Sequence, residues 1–144
     1  MEAKMNVVVE EGVEVPFYAH EGDAGMDLRI NEDVWLQPME RRIVRTGLRV
    51  AIPKGCVGDV RPRSGLASKQ GVTVINSPGT IDSRYRGEVG VPLINLSKKP
   101  VMLRKGDRVA QLVVTPFVHC EIEVVDSLDE TERGEGGFGS TGLQ

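Results

Sequence analysis

Three stretches of this 144-residue chain hold side chains whose types and spacing could do chemistry. The last is the most unusual: RGEGGFGSTG, Arg133 to Gly142, has five glycines in ten residues beside one Arg, one Phe and two hydroxyls. Ordering so much glycine is entropically costly, and one Phe buries too little apolar surface to offset it. The free tail is therefore expected to be mobile and to be ordered by something it binds. Arg133 offers a planar cationic fork, Ser140, Thr141 and the bare amides offer donors to anionic oxygens, and Phe138 offers a flat face. A phosphate joined to a base fits that inventory. Gly134, Gly136 and Gly139 also spell G-x-G-x-x-G, but that motif must open a helix, and only five residues follow Gly139. No Lys follows the glycines, which removes a Walker-type loop.

The second stretch runs from Arg61 to Gly71. Gly65 to Gln70 reads as a short helix with Ser64 as its N-cap and Gly71 as its stop. Free amides at its start, with Arg61 and Arg63 just before, make a second anion site. The third stretch is NSPGTIDSRYRGE, Asn76 to Glu88, a turn-rich run between strand patterns at Val72 to Ile75 and Val89 to Leu96, which reads as a β-hairpin. Asp82 on it is placed to act as a general base toward water, or else to bond its own backbone as turn aspartates do. Tyr85 is either a core ring or a ligand-facing one. Arg84, Arg86 and Glu88 read as an exposed ladder.

The elements that must carry these residues are strands. Gly (17) and Pro (8) punctuate the chain at short intervals, and the segments between them are rich in Val and Ile. Leu48, Val50 and Ile52 alternate with Arg49 and Ala51; Val89, Val91 and Leu93 with Gly90 and Pro92; Ile122 and Val124 with Glu121 and Glu123. Each set predicts a strand with one buried face. Leu112 to Thr115 is apolar or β-branched throughout, as in a strand covered on both sides by a second sheet or by another subunit. Composition turns polar near Asp126, which predicts one domain over residues 1–128 and a mobile glycine-rich arm over 129–144.

A net charge of −3 gives no general attraction to nucleic acid or anionic membrane. MEAKMNVVV has no long apolar run, so neither signal peptide nor membrane span is expected and a cytoplasmic address follows by default. Cys56 and Cys120 are too few and too far apart for a disulfide framework, so reduced thiols are expected. His20, Cys56, His119 and Cys120 have the atoms for a zinc site but not the spacing.

Five segments, in order, resemble the motifs of one family: AGMDLR (Ala24 to Arg29), PRSGLA (Pro62 to Ala67), GTIDSRYRGE (Gly79 to Glu88), RVAQLVV (Arg108 to Val114) and the terminal RGEGGFGSTG. They are similar to those of the homotrimeric dUTPases. The resemblance implies an all-β, distorted jelly-roll-like barrel of the β-clip kind, with one short helix and a flexible C-terminal arm. It implies hydrolysis of dUTP to dUMP and diphosphate, which keeps uracil out of DNA and supplies dUMP for dTMP synthesis. Asp82 then matches the carboxylate that activates water for in-line attack on the α-phosphorus. Ser64 matches the serine at the oxygen bridging the α and β phosphorus atoms, and Arg63, Gly65 and Gln111 match phosphate contacts. Mg2+ is implied on the triphosphate with no direct protein ligand, its water shell held by Asp27 and Gln111. Gly79, Thr80, Ile81 and Asp82 would read uracil through the backbone of their hairpin, with the Asn76 side chain adding a contact. Tyr85 matches the ring under the deoxyribose that excludes a 2′-hydroxyl. Arg133, Gly139, Ser140 and Thr141 would hold the γ-phosphate, and Phe138 would cap the base.

The resemblance also implies a trimer whose arms close neighbouring sites. Six aromatics in 144 residues make a light core for a monomer, and Leu112 to Val114 suits a three-fold axis as well as it suits an ordinary central strand. Gly90 departs from the longer side chain of many relatives. Two readings stand beside this one: a dCTP deaminase of the same fold, which needs a glutamate where this chain reads TID and then SRYRG, and a catalytically silent nucleotide- or partner-binding barrel. An oligonucleotide-binding barrel lacks its basic face interleaved with aromatics.

Overall fold

The structure, a computed structural model, describes residues 2–144. Ten strands and one helix follow in the order β1 (Asn6–Val9), β2 (Gly25–Arg29), β3 (Val34–Leu36), β4 (Arg41–Ala51), β5 (Cys56–Arg61), α1 (Ser64–Gln70), β6 (Val72–Val74), β7 (Gly79–Ile81), β8 (Glu88–Asn95), β9 (Val101–Leu103) and β10 (Arg108–Pro116). They form two four-stranded antiparallel sheets, β1-β4-β8-β6 and β2-β10-β5-β7, and a two-stranded ribbon, β3-β9. This is the all-β architecture with one short helix that the sequence predicts. No helix among the described residues is long and apolar enough to cross a membrane.

Alternation drives the sheets together. Leu48 and Val50 of β4, Val89, Val91 and Leu93 of β8, and Met26 and Leu28 of β2 point into one shared core, while Arg49 and Gly90 face out. The core is aliphatic: Phe17, Tyr18, Trp35, Tyr85, Phe117 and Phe138 are all exposed. Thr46 and Asn95 are the buried polar residues, and Asn95 is fully paired. Its Nδ2 donates to the carbonyls of Leu36 (3.0 Å) and Lys99 (2.8 Å), and its Oδ1 accepts from the Ser97 amide (2.9 Å) and hydroxyl (2.8 Å). A buried amide satisfied in this way fixes the end of β8 against β3 rather than weakening the core.

Three sequence expectations change. Ser64 is the first residue of α1 and not its cap; Arg63, extended at φ −93°, takes the cap position without any side-chain capping bond. The Ser64 hydroxyl is thus not spent on the helix. Gly71 does stop the helix, at φ 69°, donating to the carbonyls of Ala67 and Leu66, a conformation that a Cβ would strain. The run from Asn76 to Glu88 is more than a hairpin: β6 and β8 pair with each other, but β7 between them crosses to the second sheet and pairs with β5. Local pattern could not show that crossing, because its partner lies twenty residues upstream.

The third change falls at the C-terminal end. Ile122 and Val124 are in no strand and are 83% and 94% exposed. The last strand ends at Pro116, and residues 117–128 lie exposed without a partner strand in their own chain. Alternation makes a segment ready for a sheet but does not supply the neighbouring edge. Leu112, by contrast, is fully buried in its own chain's core, with β10 hydrogen-bonded between β2 and β5, so it reads here as a central-strand residue.

Candidate active site

The second sheet sets three functional positions side by side. Gln111 of β10 lies opposite Asp27 of β2 on one side and Arg61 of β5 on the other. Its Nε2 donates to the Pro62 carbonyl at 3.0 Å, tying the strand to the turn that leads into α1. Gly25 makes room for it: a Cβ there would strike Gln111 Oε1 and lie 3.3 Å from its Cδ.

The Asp27 carboxylate faces two arginines. Arg63 Nε is 3.3 Å from Oδ1, and Arg108 Nη1 is 3.5 Å from Oδ2. Arg63 also donates through Nη1 to the Arg108 carbonyl at 3.0 Å, so the residue before α1 is laced to the start of β10. Around them opens a cleft of about 510 Å³ lined by Arg29, Arg63, Lys69 and Arg108, with Gly65 at the helix start and Asp107 the one acid among its walls. Four cations on one concave surface focus a positive field suited to a polyanion. Ser64 is exposed at its edge, next to Arg63 and Gly65.

A second cleft, of about 170 Å³, is lined by Asn76, Gly79, Thr80, Ile81, Tyr85 and Gly90 among others, and by no cation. Its floor is the paired strand β7. Gly79 sits opposite Val60, and a Cβ on it would come within 3.2 Å of Asn76 Nδ2, so the glycine lets the strand pass close to that amide. Past β7 the chain turns: the Tyr85 amide donates to the Asp82 carbonyl at 3.1 Å, and Arg86 Nη1 donates to the carbonyls of Ser83 (2.8 Å) and Tyr85 (2.9 Å). Asp82 is exposed at the head of this turn, and among the described residues no hydrogen bond reaches its carboxylate. The self-bonding turn aspartate is therefore not what forms.

Some residues at this site carried no functional weight in the sequence. Glu88 is not part of an exposed ladder: Arg45 donates to it twice, Nε to Oε2 at 3.1 Å and Nη2 to Oε1 at 2.9 Å, and the Gly47 amide adds a third bond at 3.0 Å. Arg45 is shared with Glu10, and its pKa is raised, first by the bond to Glu88 and then by the charge of Glu10, so it stays cationic. Arg108 was legible only as the first letter of its motif. Gly90, lining the second cleft, faces Ile43, whose Cγ2 a Cβ would approach at 2.8 Å.

The two clefts have no lining residue in common. The β5 register explains why. Ile81 pairs with Gly58, which puts Asp82 level with Val57, whereas Gln111 pairs with Arg61 and Ser64 lies three residues further on. At about 3.3 Å per residue, the Val57-to-Arg61 span alone is roughly 13 Å. Asp82 and Ser64 of one chain thus stand at opposite ends of the same strand. The arm reaches neither cleft: Arg133 Nε donates to Gly136 O within the arm at 2.8 Å, and Phe138 is fully exposed. Gly139, Ser140 and Thr141 follow in successive local turns, the Ser140 amide bonding Gly137 O and the Gly142 amide bonding Gly139 O.

A profile of the dUTPase family matches residues 11–142. The chain belongs to that family. Deoxyuridine 5'-triphosphate nucleotidohydrolases are similar to it over nearly their whole length: that of Clostridium novyi (strain NT) is 50% identical, covering 96% of this chain and 100% of the relative. That of Anaeromyxobacter sp. (strain Fw109-5) is 56% identical over 90% of this chain and 88% of the relative. Among solved structures, the Staphylococcus bacteriophage 80alpha dUTPase G164S mutant with dUpNHpp superposes with a TM-score of 0.91 at 29% identity, covering 99% of this chain and 100% of that one. A D95N dUTPase from phage phi11, whose structure concerns the coordination of a structural Mg(II) ion, superposes with a TM-score of 0.82 at 27% identity, over 89% and 100%. Each of the five dUTPase motifs of this chain lies in or beside one of the features above: the arginine cleft, the turn cleft, or the arm.

Proposed function

We propose that this chain hydrolyses dUTP to dUMP and diphosphate, in sites assembled between the subunits of a homotrimer. The observation that carries the shared site is the placement of Asp82 and Ser64 at opposite ends of β5, in clefts without a common wall. One reaction centre needs both, so the turn cleft of one subunit faces the arginine cleft of another. The exposed apolar run of Val118, Ile122, Val124 and Leu128 fits the same reading, because such a stripe needs a partner surface. The chain then divides into a barrel, residues 1–128, and an arm, 129–144, that closes over a neighbour's site.

In this site the turn cleft takes the nucleoside. The backbone of Gly79 to Asp82 reads uracil, Asn76 adds its side chain, and Tyr85 underlies the deoxyribose. The arginine cleft takes the phosphates, through Arg63, the Gly65 amide and Gln111. Asp82 accepts a proton from a water whose oxygen attacks the α-phosphorus. The bond from that phosphorus to the bridging oxygen breaks, its electron pair leaves with diphosphate, and the Ser64 hydroxyl donates to the oxygen where that charge gathers. Positioning and charge are what such a displacement needs. Arg133, Gly139, Ser140 and Thr141 of the arm hold the γ-phosphate while Phe138 covers the base, which excludes bulk water.

Asp27 fits the cation expected with a triphosphate. Its carboxylate faces two arginines, and among the described residues no three His, Cys, Asp or Glu side chains converge. Such a donor set suits a hard ion that keeps its waters and takes phosphate oxygens directly, with Asp27 and Gln111 holding the water shell. Mg2+ bound there supplies neutralisation of the triphosphate charge. Two free cysteines, Cys56 and Cys120, suit a reducing cytoplasm.

One assay with dUTP, dCTP and UTP in the presence of magnesium, following diphosphate and ammonia, tests the reaction: diphosphate from dUTP alone is expected, and ammonia from dCTP overturns it. Co-refolding Asp82→Asn subunits with subunits lacking residues 129–144 tests the assembly. Each variant alone is expected to be inactive, and the mixture to regain activity through sites that draw Asp82 from one chain and the arm from another. A mixture as inactive as its parents places the whole site in one chain.

A further inference from the structure

We propose that Gly87 and the Glu88–Arg45 ion pair are specificity-positioning residues: they lock the Tyr85 ring in place and so set how strongly a 2′-hydroxyl is refused. The inference rests on the dUTPase reading, in which Tyr85 underlies the sugar.

Tyr85 has no claim on the core. It is 45% exposed and sits on a turn, where an aromatic side chain would ordinarily sample several rotamers. Two contacts hold it. The ring folds back over Gly87, where a Cβ would lie 2.6 Å from Cζ and 3.0 Å from Cε2 and would strike the phenolic oxygen. Gly87 does not have a left-handed backbone, so glycine is required here for space and not for turn conformation. Any side chain at position 87 expels the ring from its seat.

The second contact fixes the far end of the ring. Tyr85 Oη donates to the main-chain carbonyl of Glu88 at 2.9 Å; Glu88 pairs with Arg49 of β4, and its carboxylate is pinned by the two bonds from Arg45 and the one from the Gly47 amide. Gly47, at φ 67°, lies where the β4–β8 register shifts between Arg45 and Arg49, and that irregularity turns its amide toward Glu88. Arg45 is held in turn by Glu10. The ring is therefore tied through Glu88 to β4 rather than to its own turn alone. Steric exclusion of one hydroxyl is only as strong as the wall is rigid, and a wall displaced by an ångström forfeits it.

The test is the ratio of kcat/KM for dUTP to that for UTP. Gly87→Ala is expected to lower the ratio by about tenfold or more, chiefly by raising kcat/KM for UTP. In a Tyr85→Ala background the same change is expected to leave the ratio within about twofold, because the ring through which Gly87 acts is gone. With 3-fluorotyrosine incorporated and signals assigned by Tyr18→Phe, Gly87→Ala is expected to shift the Tyr85 fluorine resonance of the ligand-free protein and leave that of Tyr18 in place. Arg45→Met, which frees Glu88 without touching the turn, is expected to lower the ratio several-fold and carries the same test should Gly87→Ala not fold. An unchanged ratio in these variants while Tyr85→Ala relaxes it overturns the positioning role and leaves the dUTPase reading intact. An equal effect of Gly87→Ala with and without the Tyr85 ring also overturns it. If Tyr85→Ala itself leaves the ratio unchanged, the placement of that ring under the sugar fails first.

Discussion

The two clefts are built on opposite principles. The turn cleft is lined mainly by glycines, aliphatic and small polar residues and one ring, with Glu88 its one charged group and no cation, and it owes its shape to hydrogen bonds within the segment from Asn76 to Glu88 and to the strand pairing of β7. The arginine cleft is wide and charged, with long side chains whose present partners, Asp27 among them, can be exchanged for an anion. A cleft read by shape must be rigid before its ligand arrives; a cleft read by charge can rearrange as it fills. In the proposed site the first is the cleft that discriminates between nucleosides, and the second is the one that supplies affinity for phosphate and stabilises the leaving group. Under the proposed function, separating them along β5 leaves each free to be optimised for its task, and a second chain is then required to complete the site.

The sharpest way to break this division is at Asp82, which stands beside the shape-reading cleft but is proposed to act on the water that attacks phosphorus. Asp82→Asn is expected to lower kcat by about 10²–10⁴ while leaving the affinity for a non-hydrolysable dUTP analogue within twofold by calorimetry. A large loss of affinity instead makes it part of nucleoside recognition. Deleting residues 129–144 is expected to cut kcat/KM by about 10²–10³ without lowering the melting temperature, since the arm bonds only to itself in the free chain. Asp27→Asn sharpens the charge side of the comparison. With its arginines released, the metal-free analogue should bind about fivefold tighter, as expected of a partly exposed ion pair worth about 1 kcal/mol, and added magnesium should improve binding less than in the unaltered protein. The smallest effect concerns ionic strength: raising salt from about 0.05 to 0.5 M should weaken analogue binding several-fold yet leave the preference for dUTP over dCTP within twofold.

Much of this was legible in the sequence, and the reasons are particular. Leu48 to Ile52 and Val89 to Leu93 announced their strands because each has one face in the core, and period two survives wherever that is so. Gly71 announced the helix stop because only its conformation fits there. The crossing of β7 was hidden, since a three-residue strand takes its partner from tertiary context. Ile122 and Val124 misled because alternation reports an affinity for a sheet and not the presence of one in the same chain. At the site, the types of Asp82 and Tyr85 left a structural and a functional reading open, and only the motif resemblance singled them out, whereas nothing marked Glu88 and Arg45: they are forty-three residues apart, and only the β4–β8 pairing brings them together.

The absence of aromatic rings from the core has an optical consequence. Trp35, the only tryptophan, lies half-exposed on the β3–β9 ribbon opposite Met102, and no aromatic ring is packed in the interior. Its emission already reports water in the native state, so melting of the barrel will pass with little spectral change and has to be followed by backbone circular dichroism or calorimetry. Ring signals instead belong to surfaces that meet something else. Under the proposed function, near-ultraviolet change is expected to report nucleotide capture and subunit contact, recorded against a core without rings.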